Sequence, residues 1–320
     1  MQLPEVSVII PTYNYGHLIE ETLLSISNQS YNNWECIVVD NQSTDNTEQI
    51  VLNWTKSDKR FKYLKIQHST TSGCRNSGVK ISKGDFIQFV DADDQIAKDK
   101  LKNQIELFRQ NSNASIVYSN ALYYDHGNNK SLRFTIDNSN EPWMVEFTGY
   151  SLDLLPRMLK RNVFVISSPL LKRAVFEETK GFFEPLNWVE DWEFYFRCFV
   201  KNYFIVFDDS QNSASHIRVH NNSLSRNKIR MCEQALLARK RISKMLKGLK
   251  NYSRKLELCE SNNKELIYLY KTLAKEYAVN APLKSKKNLI NFALKSKDFK
   301  FFCKVIASFI FKKIKIEIPE

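Results

Sequence analysis

The stretch Gly84-Asp85-Phe86-Ile87-Gln88-Phe89-Val90-Asp91-Ala92-Asp93-Asp94 constrains this chain more than any other. Phe86, Ile87, Phe89 and Val90 make an extended segment apolar on both sides, which belongs in the middle of a parallel sheet covered by helices on both faces. The carboxyl end of such a strand is where open α/β sheets bind ligands, and here it holds Asp91, Asp93 and Asp94. Acids that close repel one another unless a cation or a ligand's positive group lies among them, and hard divalent ions take oxygen ligands. Asp-x-Asp at this place is therefore a candidate metal-diphosphate site. The alternative is an acidic turn in which Asp94 or Asp99 caps the periodic run Leu101–Phe108.

Upstream, one unit repeats. Val6-Ser7-Val8-Ile9-Ile10 reads as a buried strand ended by Pro11, and after the turn Thr12-Tyr13-Asn14-Tyr15-Gly16 the spacing predicts a helix over Leu18–Ile26. A second strand, Glu35–Val39, ends in Asp40-Asn41-Gln42-Ser43-Thr44-Asp45, with a helix over Thr47–Trp54. A third, Tyr63–Ile66, leads through a polar loop to a helix over Arg75–Ser82. Strand and helix in alternation predict right-handed βαβ units and a parallel sheet. The chain contains neither a Gly-x-Gly-x-x-Gly nor a Gly-Lys-Ser/Thr loop, so the ordinary dinucleotide and P-loop readings lose their support. What remains are loops that offer Tyr13 and Asn14, Asp40 and Asn41, and Asp91 and Asp93 on one sheet edge. Asp40 is placed to accept from a base or a ribose hydroxyl, and Tyr13 to stack on a base. Helix capping is the alternative for Asp40 and Ser43.

At 320 residues and 43% hydrophobic, the chain can bury one good core and a second, smaller unit. Its net charge of +12 is uneven: residues 225–320 hold 24 Lys and Arg against 8 Asp and Glu, and the first 224 hold 23 against 27. A mildly acidic body argues against a nucleic-acid-binding main domain, and the basic tail points to an anionic surface. Six scattered cysteines, none in a Cys-x-x-Cys pair, are expected as reduced thiols of a cytoplasmic protein. No charged-then-apolar leader precedes the first strand, so secretion is not expected. No apolar run approaches the roughly 20 residues that span a bilayer.

Val6–Asn14, Val39–Asp45, Gly73-Cys74-Arg75-Asn76-Ser77-Gly78 and Phe89–Asp94 together resemble, in order, the motifs of the family 2 glycosyltransferases. The resemblance covers about the first 225 residues and implies a GT-A fold, a doubly wound, mainly parallel mixed sheet that binds a nucleotide sugar through Mn²⁺ or Mg²⁺. It places Pro11, Tyr13, Asn14, Asp40, Asn41 and Arg75 at the nucleoside, with Asp91 and Ala92 on the ribose side. Asp93 would be the principal metal ligand. Where the family often has a second Asp after Asp40, this chain has Asn41; an amide oxygen still accepts from a uracil or thymine N3–H, so a uridine or thymidine donor is expected.

Farther on, Val163–Pro169 reads as a strand, and Gly127–Pro142 as a polar loop. Trp188-Val189-Glu190-Asp191-Trp192 then opens an aromatic helical run whose N-terminus favours ionised acids. An inverting transfer needs a carboxylate in reach of the incoming hydroxyl. The pair resembles the family's catalytic acidic motif, which makes Asp191 the base and gives Glu190 a role in holding the loop or orienting the acceptor; capping is the alternative. Trp188 and Trp192 could floor a sugar subsite, or belong to the core. Arg218-Val219-His220, after a strand at Tyr203–Phe207, resembles the family's Arg-x-His segment, which implies His220 as a further metal or phosphate contact and Arg218 as a phosphate clamp.

Residues 226–320 form the expected helical, basic C-terminal region, with amphipathic runs over Met231–Leu249, Lys264–Ala278 and Leu289–Leu294. In Phe299–Lys315, Lys300, Lys304, Ser308, Lys312 and Lys315 fall on one helical stripe amid aromatics. Such a segment suits an anionic bilayer surface, or packing on protein or a second subunit. The sequence thus predicts a metal-dependent inverting glycosyltransferase that uses a nucleoside diphosphate sugar and a glycan or lipid-linked acceptor in polysaccharide synthesis, cytoplasmic and peripheral on the inner membrane face. A non-catalytic nucleotide-sugar or polysaccharide-binding module is the alternative.

Overall fold

The structure is a computed structural model and describes residues 3–67, 69–125, 128–133, 144–219, 228–280, 286–298, 300–303 and 305. Its chain divides into two units, residues 1–223 and 224–320.

The first unit opens with β1 (Val6–Thr12), α1 (Ile19–Ser27), β2 (Trp34–Asp40), α2 (Thr47–Ser57), β3 (Phe61–Lys65), α3 (Thr71–Ile81) and β4 (Phe86–Phe89). Strands β3, β2, β1 and β4 lie side by side and parallel, as the alternation requires. Period-2 side chains divide them between two faces. Val6, Val8 and Ile10 enter one buried cluster with Ile19, Leu23 and Val51, whereas Ile9 and Val39 turn to α3, where Gly78 lets the helix approach. A Cβ on Gly78 would stand 2.5 Å from Ile9 Cγ2 and 3.0 Å from Val39 Cγ2.

The polar stretch before Arg75 is not loop: α3 begins at Thr71, capped by Thr70, whose hydroxyl accepts from Gly73 N–H at 3.1 Å. The first turn carries polar and small residues because it is buried against a second polypeptide segment, so hydrophobic periodicity does not mark it.

Beyond β4 come β5 (Gln95–Ile96), α4 (Lys100–Gln110), β6 (Ala114–Ser119), β7 (Ala121–Asp125), β8 (Asn128–Arg133), β9 (Gly149–Tyr150), α5 (Leu155–Lys160), β10 (Leu170–Lys172), α6 (Arg173–Thr179), α7 (Glu190–Val200), β11 (Phe204–Asp208) and β12 (Ser215–Val219). The main sheet continues β4-β10-β6-β11-β9, with β10 antiparallel to both neighbours. A second sheet runs β5-β12-β7-β8. The doubly wound, mainly parallel mixed sheet expected from the sequence is the fold observed.

Three local expectations change. Residues 163–169 are not a strand; their carbonyls are taken by side chains, Ser167 O by Gln88 Nε2 at 2.8 Å and Ser168 O by Lys100 Nζ at 2.7 Å, and pairing starts only at Leu170. The Lys100 amine is buried, which pulls it down to about 7. Part of the expected 127–142 loop is strand β8, paired with β7, and residues 134–143 lie outside the described ones. The strand expected before Arg218 is β11, but Arg218 and Val219 themselves end a further strand, β12, too short and polar to show alternation.

The second unit contains α8 (Lys228–Gly248), α9 (Lys255–Asn280) and α10 (Lys286–Lys295), longer than their apolar spacing suggests. Arg239 and Asn262, both buried, lock α8 to α9 by exchanging bonds at 3.3 and 3.2 Å. Phe301 and Val305, the described start of the expected lysine-striped tail, are buried with Ala274 and Ala293; residues 306–320 lie outside the described ones. Among the described residues no helix is long and apolar enough to cross a membrane.

Candidate active site

Two loops on the β1–β2 edge are stitched together by side chains. Ser43 Oγ accepts from Asn14 N–H at 2.9 Å, Asn14 Oδ1 accepts from Thr44 N–H at 2.7 Å, and Asp45 takes Gly16 N–H at 2.9 Å. Asn14 has φ of 59°, the left-handed region that Asn tolerates better than most residues. This leaves Tyr13 54% exposed at the edge, free to lie flat on a planar ligand, and keeps Pro11 buried behind it. Asp40 is buried and accepts from Ser43 N–H at 2.8 Å, Ser43 Oγ at 2.6 Å and the Tyr63 hydroxyl at 2.5 Å. The capping of α2 falls instead to Asp45, which takes Thr47 N–H at 3.0 Å. Asn41 uses both ends of its amide on one residue, donating to Ser69 O at 2.7 Å and accepting from Ser69 N–H at 2.8 Å.

The strand-end acids are not a helix cap. Asp99 makes no side-chain bond at the start of α4, and Asp94 faces the other way, accepting from Arg218 N–H at 3.1 Å. Asp94 is buried, and that burial, then the charges of Asp93 and Asp91, hold its carboxyl well above the usual range. Ala92, buried between Asp91 and Asp93, has its carbonyl fixed by Thr22 Oγ1 at 3.0 Å. Arg218 braces the turn rather than standing open: its Nε donates to Asp93 O at 3.0 Å and its Nη2 to Glu21 at 2.7 Å, with the guanidinium 5.0 Å from the centre of the Tyr124 ring. Tyr15, which the sequence reading passed over, turns its hydroxyl to Asp93; burial and then the charges of Asp93, Asp91 and Asp94 push it far up.

Arg75 joins this edge to the other half of the site. Its guanidinium, 2% exposed, donates to Asp91 Oδ1 at 2.7 Å and to Glu190 Oε1 at 2.5 Å, so residues about a hundred positions apart share one cation. The helix that carries Arg75 also clasps the segment leading to Glu190. Thr70 Oγ1 donates to Glu184 O at 2.8 Å, Thr71 N–H to Asn187 Oδ1 at 2.9 Å, Ser72 Oγ to Leu186 O at 2.5 Å, and Asn76 pairs with the Phe182 backbone at 2.8 and 2.9 Å. Periodicity could not reveal these residues, because their partners are single atoms, mostly of the backbone, far along the chain.

Helix α7 begins right after Val189, whose φ is 55°. A β-branched residue in that region is strained, and the strain sits at the point where Glu190 and Asp191 are aimed. Glu190 is raised by burial and partly restored by Arg75. Asp191 Oδ1 accepts from Trp192 N–H at 2.7 Å and Oδ2 from Asn162 Nδ2 at 2.9 Å; burial, then the Glu190 charge, push its carboxyl up to about 7. That is a carboxyl poised to accept a proton near neutrality. Behind it, Phe182 stacks on Phe194 at 4.4 Å and Phe164 meets Tyr195 at 5.2 Å. Trp192 belongs to that core, donating Nε1–H to Met158 O at 2.6 Å. Trp188 is half-buried, and its buried Nε1 finds no acceptor among the described residues.

The metal-ligating atoms at the strand end are, among the described residues, oxygens, a set that suits Mg²⁺ or Mn²⁺, and the charges of Asp93 and Asp91, which add to burial in raising Asp94, are a repulsion that a cation would relieve. Among the described residues no three carboxylate, imidazole or thiolate groups converge as a ready cage; an ion bound through one or two carboxylates completes its shell with phosphates and water. His220 lies outside the described residues.

A doubly wound sheet with an acidic strand end and a second acidic pair across a shared arginine defines a sugar-transferring enzyme of the GT-A type. Residues 7–179 match the model of the family described as Glycosyl transferase family 2, and the chain belongs to that family. It is 33% identical over 233 residues to a glycosyltransferase of Haemophilus influenzae, covering 72% of this chain and 85% of the relative. It is 40% identical over 128 residues to an Escherichia coli UDP-Glc:alpha-D-GlcNAc-diphosphoundecaprenol beta-1,3-glucosyltransferase, covering 40% of this chain and 48% of that one. A Campylobacter jejuni GalNAc(5)-diNAcBac-PP-undecaprenol beta-1,3-glucosyltransferase is 31% identical over 169 residues, covering 50% and 54%. The chain thus spans about half the length of these two lipid-linked-glycan enzymes. In fold it resembles Staphylococcus aureus TarS 1–349 in complex with UDP-GlcNAc, with a TM-score of 0.68 at 18% identity over 97% of this chain and 92% of that one. It also resembles the Pyrobaculum calidifontis mannosyltransferase in complex with GDP-Man and Mn²⁺, with a TM-score of 0.58 at 18% identity over 98% and 89%.

Proposed function

We propose that this enzyme is a metal-dependent inverting glycosyltransferase that moves a sugar from a UDP- or dTDP-linked donor to a hydroxyl of a lipid-linked glycan. The observation that carries the reading is Arg75, whose one guanidinium holds both Asp91 and Glu190 and so sets the strand-end acids beside the helix-start pair. Pro11, Tyr13, Asn14, Asp40 and Asn41 receive the nucleoside, with Asp91 and Ala92 at the ribose. Asp93, helped by Asp91 and His220, would hold the cation. A bound divalent ion there supplies charge for the departing diphosphate.

Asp191 takes the proton of the acceptor hydroxyl as its oxygen bonds to the anomeric carbon. The bond from that carbon to the diphosphate oxygen breaks on the opposite face, and the nucleoside diphosphate leaves. Glu190, neutralised by Arg75, keeps a second free charge from competing for the proton. Trp188, half-buried just ahead of α7, offers the acceptor sugar an apolar face. Part of the acceleration comes from holding the two substrates in line. A cytoplasmic enzyme acting at the inner membrane face fits the lipid-linked acceptors of the two curated relatives, and 24 basic against 8 acidic residues after position 224 would draw it to anionic headgroups. A panel of nucleotide sugars, screened for Mn²⁺-dependent release of the nucleoside diphosphate, tests the reading. Turnover of one UDP- or dTDP-sugar, lost on chelation, is expected; metal-independent turnover would remove the cation from the scheme.

A further inference from the structure

Asn162 stands just past the end of α5, and everything around it is fixed. Trp192 ties α7 to the carbonyl of Met158 in that helix. Phe164, fully buried, packs on Tyr118, Tyr195 and Phe199, and the Tyr195 hydroxyl donates to Ile166 O at 3.3 Å. Asn162 Oδ1 accepts from Phe164 N–H at 3.2 Å, which settles the orientation of the amide. Its NH₂ must face the other way, and there it meets Asp191 Oδ2 at 2.9 Å. With Trp192 N–H on Oδ1, each oxygen of the carboxylate has one protein donor, and the plane of the group is set.

We propose that Asn162 is the positioning residue of the Asp191 carboxylate, fixing its plane toward the acceptor and favouring its ionised form; this rests on Asp191 acting as the base. An amide N–H donated to a carboxylate is a bond to the charged form and opposes protonation. Other groups act on the same carboxyl. Glu190 and Asp91 raise it and Arg75 lowers it, while the phenols of Tyr123 and Tyr195 feel its charge. Arg161, the neighbour of Asn162, acts on Tyr123. Asn162 differs from all of these in touching the reacting group directly.

The test is the pH profile of kcat/KM between pH 5.5 and 9.5 for the wild type, Asn162→Asp, Asn162→Ala and Asp191→Asn, using the donor that the panel identifies. UDP titration in Mn²⁺ and a melting temperature accompany each variant. Asn162→Asp keeps the shape and the acceptor for Phe164 N–H, so only the bond to Asp191 is lost and replaced by a like charge. Its acid limb is expected to move up by about one pH unit, with roughly tenfold lower kcat/KM at pH 6.5 and recovery by pH 9. Asn162→Ala should move the limb in the same direction, and UDP affinity should stay within about twofold in both. An acid limb unmoved in both variants while Asp191→Asn is inactive overturns the role of Asn162 alone. Full transfer by Asp191→Asn overturns the base on which that role rests.

Discussion

Two acidic clusters are joined through Arg75 in this site, and they are built on opposite principles. Asp93 and Asp94 end a buried strand, with a third acid two residues back, in a turn braced by Arg218 through the backbone carbonyl of Asp93 and the side-chain carboxylate of Asp94. The crowding there shows in Asp94, whose carboxyl is held well above the usual range by burial and then by the charges of Asp93 and Asp91. Glu190 and Asp191 open a helix, and each has its own partner, Arg75 for one and Asn162 for the other. The first arrangement leaves charge unbalanced and suits a cation. The second consumes one acid and leaves the other tuned near neutrality. On the proposed reading, carboxylates serve binding in one place and proton transfer in the other because of what stands next to them.

The contrast can be broken at its largest point by Asp191→Asn, which removes the base and keeps its size. Transfer should fall at least about a hundredfold in a steady-state assay, and activity within a few fold of the wild type would show that Asp191 takes no proton. Next is the joint between the two pairs. Arg75→Met leaves the buried Glu190 without its cation, and unfolding in denaturant should show a loss of about 3 kcal/mol. Asp91, 38% exposed, contributes little of that because water screens it. A change under about 0.5 kcal/mol would mean that Arg75 does not hold the halves together. The smallest effect is expected at the support of Arg75. Gly78→Ala puts a methyl 2.5 Å from Ile9 Cγ2, and overpacking of this kind costs about 1–3 kcal/mol. Thermal unfolding at an unchanged midpoint would show that α3 is not tightly seated.

The sheet was legible because buried parallel strands are written as β-branched runs separated by helical spacing, as in Val6–Ile10 and Phe86–Val90. The edge acids were legible for the same reason, since a charged cluster at the end of such a run has no packing role. The second sheet was not. Its strands β5, β12 and β8 are short or polar, and what holds Ser215 at its place is a hydroxyl donating to Ser167 O at 2.7 Å, a contact with no periodic signature. Tyr15 and Asn162 escaped for a related reason: their importance lies in one partner atom each, on a residue distant in sequence. Trp192, an aromatic beside two acids that sequence leaves open between a sugar floor and the core, proves to be core.

The central claim is that the two pairs do separate work in one site, and titration of UDP in the presence and absence of Mn²⁺ into Asp93→Ala and Asp191→Asn tests it most directly. Asp191→Asn should bind UDP with the metal dependence of the wild type, and Asp93→Ala should lose the metal-dependent part of its affinity. Equal losses in both variants, or unchanged binding in Asp93→Ala, would contradict the division of labour.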